Sequence, residues 1–125
     1  MAYNFEEFNS IKGKFTPSIS ITKTGGIGLS SGFCRRYNMK EYIGVKLYYD
    51  KSSNAVGLRF LRSEESGMFK LKMDNSSDDK NTGAYFMAKS FLMAYDLKKY
   101  AGKYPPEEIT DEKLGKMFII KLNKV

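Results

Sequence analysis

The chain has 125 residues, 42% apolar and 28% charged, with nine Phe and nine Tyr, enough bulk for a buried core and too much for a disordered chain. It has no histidine and a single cysteine, Cys34, so the usual imidazole and thiolate sites cannot be assembled. The net charge is +7, and residues 1–62 carry +6 of it, from ten basic residues against four acids, with all four arginines in that half. Such a balance points to an anionic partner meeting the first half.

In chain order, residues 1–17 mix Phe5, Phe8 and Phe15 with charges and read as an arm or short helix, ended by Pro17. Residues 18–23 (SISITK) alternate as a half-buried strand. Gly25-Gly26 gives a turn signal and Ile27-Gly28-Leu29 resumes the alternation, which makes a β-hairpin. In this reading Gly25 and Gly26 supply positive φ, and Gly28 permits close backbone approach. Ser30 or Ser31 then caps a short helix carrying Phe33, Arg36 and Tyr37. Residues 43–49 and 55–60 are strands joined by the turn 50–54, so 18–60 spells ββαββ.

Beyond a polar link, residues 68–73 read as a strand, 74–82 (DNSSDDKNT) as a loop, 83–87 as a strand and 90–100 as a helix. Pro105-Pro106 interrupts regularity, Glu107, Glu108, Asp111 and Glu112 read as a surface helix or loop, and 117–122 closes the chain as a strand. Asp74, Asp78 and Asp79 lack the ligand spacing of a calcium loop.

Residues 25–44 and 83–102 echo each other at a constant shift of 58. Gly25, Phe33, Tyr37, Lys40, Tyr42 and Gly44 recur as Gly83, Phe91, Tyr95, Lys98, Tyr100 and Gly102. The expected architecture is therefore a single β-rich α+β domain over 18–125, a small barrel of two duplicated ββαβ-type halves, 18–62 and 68–122.

The glycine-rich stretch 24–32 does not fit a dinucleotide fingerprint, and no Gly-Lys-Ser/Thr follows it. Ile19-x-Ile21-x-Lys23-x-Gly25-x-Ile27-x-Leu29, the short helix with Arg35-Arg36 and then Val45-x-Leu47-Tyr48-x-Asp50 resemble the AbrB/MazE-like swapped-hairpin DNA-binding domains, over about 40 residues. The resemblance implies a barrel related to the double-psi barrels, with Lys23, Arg35 and Arg36 as DNA contacts. The chain departs from the pattern in having Gly25-Gly26 where Gly-Arg is usual, and Ser30 where a proline follows the second strand.

Charge and aromatic residues also point to nucleic acid, since Lys and Arg neutralise phosphates and exposed rings stack on bases. Lys46, Tyr48, Arg59 and Arg62, with Lys23, have this mixture. Alternation puts Lys46 and Tyr48 on one strand face and Leu47 and Tyr49 on the other, leaving Tyr48 as the stacking candidate. Arg35 and Arg36 alternatively serve the C-terminal end of their helix, and Cys34 is a small buried residue.

The expected function is non-catalytic nucleic-acid binding by a DNA-binding regulator or accessory factor, with DNA favoured over RNA and strand type open. A protein-interaction or assembly module with an incidental basic surface is the alternative. No enzyme activity, cofactor or metal site is expected, although carboxylate or magnesium chemistry is formally open. The lone thiol, the lack of a leader and the lack of a ~20-residue apolar run favour a cytoplasmic protein with no membrane partner, with a homodimer optional.

Overall fold

The computed structural model describes residue 3 and residues 17–73 and 83–122. The arm 4–16 and the polar stretch 74–82, with Asp74, Asp78 and Asp79, lie outside the described residues. Among the described residues, ten strands form two five-stranded antiparallel sheets, so the chain is α+β and β-rich. No helix among the described residues is long and apolar enough to cross a membrane.

β1 (Ile19–Ile21) and β2 (Gly26–Leu29) form the expected hairpin, with Ile19 opposite Leu29 and Ile21 opposite Ile27. These four side chains are buried, while Ser20 and Gly28 occupy the other face. Thr22 holds the turn: its carbonyl accepts from Gly25 N (3.2 Å) and its Oγ1 from Gly26 N (2.9 Å). Only Gly25 has positive φ (101°) there, since Gly26 already belongs to β2. Nor is Gly28 at a close backbone approach, because a Cβ there would meet only Ser20 Cβ, at 4.0 Å. The close approach occurs instead at Gly83, where a Cβ would lie 2.8 Å from the Leu29 carbonyl oxygen.

α1 (Ser31–Tyr37) starts where Ser30 Oγ accepts from Phe33 N (3.1 Å), and the same oxygen accepts from Ser18 N (2.9 Å). One hydroxyl thus caps the helix and ties it to the start of β1, a type of cap worth ~1 kcal/mol. The helix ends at Asn38, which is left-handed (φ 57°), and a 3-10 turn at Met39–Glu41 follows. β3 (Gly44–Asp50) and β4 (Ala55–Leu61) pair in register, Lys46 with Arg59 and Tyr48 with Gly57. Their turn is fixed by the Asp50 carboxylate, which accepts from Ser52 N, Ser52 Oγ and Ser53 Oγ at 2.8–3.1 Å. These bonds hold the Asp50 carboxyl below its ordinary range.

The second half departs from expectation in three places. Residues 68–73 are two strands, β5 (Phe69–Lys70) and β6 (Lys72–Met73), which belong to different sheets on either side of the buried Leu71. After β7 (Ala84–Met87), α2 spans only Lys89–Ala94, because left-handed Asp96 (φ 56°) breaks the helix before the 3-10 turn Lys98–Tyr100. β8 (Gly102–Tyr104) precedes the two prolines, and the acidic stretch after them is neither helix nor loop but β9 (Glu107–Asp111), paired with β10 (Gly115–Lys121).

Sheet A has the order β6-β7-β2-β1-β8 and sheet B the order β5-β3-β4-β10-β9. The core takes Ile19, Ile27 and Phe86 from sheet A and Val45, Val56, Leu58 and Ile120 from sheet B, with Phe33 and Leu92 from the helices. Phe33 is fully buried, its ring 4.9 Å from both Tyr37 and Phe118 and 5.9 Å from Phe60. This aromatic group fastens α1 to β4 and β10.

Candidate nucleic-acid interface

Three of the residues predicted for the site meet on the outer face of sheet B. Lys46 and Arg59 are cross-strand partners, and both reach Glu65 Oε1, at 3.2 and 3.3 Å. Arg59 Nε also donates to Tyr48 Oη (3.2 Å). The carboxylate offsets one of the two positive charges, and the lysine and arginine together hold the Glu65 carboxyl below its ordinary range, Lys46 most of all. The bond to Tyr48 is the main cause that raises Arg59 further. Tyr48 is half-buried and occupied by Arg59 rather than projecting as a bare ring. Arg62 pairs with Glu41 (2.8 Å) and lies 5.0 Å over Tyr42.

Arg35 and Arg36 are exposed in the last turn of α1, with Arg36 5.7 Å over the Tyr37 ring. Lys23 is exposed at the tip of the β1–β2 turn. The seven predicted residues therefore do not form one cluster. Cys34, as expected, is buried, and burial pushes its thiol up to about 11.

A different cationic surface covers the outer face of sheet A. The registers align Lys72 with Tyr85, Tyr85 with Gly28, Gly28 with Ser20 and Ser20 with Lys103, one residue from each strand. Neighbouring strands lie ~4.8 Å apart, so this row is ~19 Å long with a lysine at each end. The strands of sheet A contain no Asp or Glu among the described residues. Among the described residues, neither Lys72, Lys103 nor Lys23 forms an ion pair.

Tyr85 is 42% exposed, and beside it Gly28 leaves the middle of the face without a side chain. A depression of about 360 Å³ adjoins it, lined by Ser18, Ser20, Gly28, Leu29, Ser30, Ser31 and Lys103. Sheet B also carries a groove on its outer face, of about 420 Å³, which differs in including the acids Asp50, Glu107 and Asp111 in its lining beside Tyr48, Gly57, Ile109, Met117 and Ile119. Sequence reasoning missed Lys72, Tyr85 and Lys103 as candidates. The available signal was period-two alternation in 84–87 and 102–104, which places Tyr85 and Lys103 outward without saying that they share a row. Comparison of the chain with protein families, with curated proteins and with solved structures finds no match.

Proposed function

We propose that this is a non-catalytic nucleic-acid-binding protein, a DNA-binding regulator or accessory factor, that uses the outer face of sheet A with Lys23 at its margin. The observation that carries the reading is the acid-free row ending in Lys72 and Lys103. A polyanion gains most where cations are not already neutralised, and the Lys46–Arg59 pair is engaged by Glu65.

The finer architecture belongs to the same proposal: a barrel of two equivalent halves, akin to the AbrB/MazE-like domains. Its support is that β2 and α1, moved by 58 residues, fall on β7 and α2, and left-handed Asn38 falls on left-handed Asp96. The pairs β5–β6 and β8–β9 each carry the chain between the sheets, at the two ends of the strand orders. One chain then supplies both halves, and a second copy is optional.

A fluorescence-anisotropy titration at ~50 and ~200 mM salt tests the reading. Affinity falls steeply with salt, and the double variant Lys72→Gln/Lys103→Gln lowers the slope of log K against log salt by about 1.4 for a single strand or 1.8 for a duplex. An unchanged slope removes sheet A from the site, and Arg35→Gln/Arg36→Gln then tests α1. A second reading, a protein-interaction module, is favoured by the groove on sheet B. It predicts no salt-dependent binding of nucleic acid.

A further inference from the structure

We infer that the occupant of sheet A is a single strand, one of its bases stacked on Tyr85 over the bare backbone at Gly28 while Lys72 and Lys103 hold phosphates on either side. The inference rests on the proposed function and specifies its ligand. Gly28 is the informative residue. It lacks the positive φ that favours glycine, and a Cβ there would touch nothing closer than Ser20 Cβ at 4.0 Å.

Nothing in folding therefore demands a glycine in this central strand, where glycine weakens a sheet. Nor does the facing ring cover the gap, because no atom of Tyr85 comes within 4 Å of that Cβ position. The neighbouring Gly26 is different, since the Met87 sulfur lies 3.4 Å from its Cβ position and fills the space. The opening at Gly28 is a slot beside an exposed ring.

The shape separates the two kinds of nucleic acid. A duplex hides its base faces in the stack and is read by an element that enters a groove. This row instead has its smallest side chains in the middle, at Gly28 and Ser20, and an exposed ring, Tyr85, at one side. Unpaired bases have free π-faces for such a ring, and a basic track follows their backbone. The depression lined by Ser18, Ser20, Leu29, Ser30, Ser31 and Lys103 adjoins Gly28, where sugar and phosphate of the same strand would lie.

The test is anisotropy with a labelled single-stranded DNA of about twelve nucleotides and the duplex made from it, a length within the usual site sizes. The single strand binds more tightly. Tyr85→Ala weakens it about 5- to 150-fold, the range set by loss of one base stack, while Tyr85→Phe retains it. Gly28→Val fills the slot, lowers single-strand affinity likewise and leaves the thermal midpoint at or above the parent's. If Gly28→Val does not fold, the contrast between Tyr85→Ala and Tyr85→Phe decides. Salt-dependent binding in which the duplex equals the single strand, or which Tyr85→Ala leaves intact, overturns the inference and spares the proposed function. Absence of salt-dependent binding to both probes overturns both.

Discussion

Two glycines, Gly28 within β2 and Gly83 just before the neighbouring β7, should respond oppositely to the same methyl group. At Gly83 an added Cβ lies 2.8 Å from the Leu29 carbonyl oxygen, about 0.6 Å inside the 3.4 Å at which ordinary contact begins. That oxygen belongs to a strand paired on both sides, Leu29 with Ile19 and with Ala84, so it cannot move without disturbing two ladders. Overpacking of this kind costs about 1–3 kcal/mol. At Gly28 the methyl enters open space. Both substitutions restrict the unfolded chain alike, a gain of about 0.4–1 kcal/mol where the native conformation tolerates alanine. That gain cancels in the comparison, and the difference between the variants isolates the clash. Gly83→Ala should unfold about 4–12 °C below Gly28→Ala, at about 4 °C per kcal/mol for a domain of this size. Thermal denaturation followed by circular dichroism reads it directly. If Gly28→Ala falls as far as Gly83→Ala, the claim that folding leaves Gly28 optional is wrong.

Two further outcomes follow from ionisation. With its pKa raised from 9.0 to about 11, Cys34 should react with iodoacetamide at pH 8 about 100-fold more slowly than an exposed thiol from ionisation alone; an equal rate contradicts the buried placement. Glu65 titrates below its ordinary 4.5, so its pairing with Lys46 and Arg59 contributes above that value and is lost as pH falls through the lowered one. An NMR titration should show the Glu65 carboxyl moving upward in Lys46→Gln, and an unmoved titration removes the ion pair.

Local signals carried the first half of the fold. Alternation with the Gly25 turn defined β1 and β2, the Ser30 cap marked α1, and the Asp50–Asn54 turn closed β3 onto β4. β9 escaped because Glu107-Glu108-Ile-Thr-Asp buries almost nothing, and its pairing with β10 rather than an apolar face makes it a strand. The break at Leu71 and the short α2 depend on sheet exchange and a left-handed Asp96, neither of which periodicity encodes. The same limit applies to the site. Alternation puts Lys46 and Tyr48 on one face and the β3–β4 register adds Arg59 to it, yet Glu65, which engages Lys46 and Arg59, comes from the link after β4. Ser20, Gly28, Lys72, Tyr85 and Lys103 become a row only through four registers, and register is a property of pairing that side-chain period leaves open.

Pro105 and Pro106 stand between β8 and β9, the outermost strands of sheets A and B at that side. A proline offers no amide hydrogen, so an intruding polypeptide laid along this margin meets two consecutive positions that cannot donate to it. The following segment then presents acidic groups at Glu107 and Glu108. Fibrillar growth by edge addition is discouraged there at its first contact, whatever the protein carries on its broader surfaces.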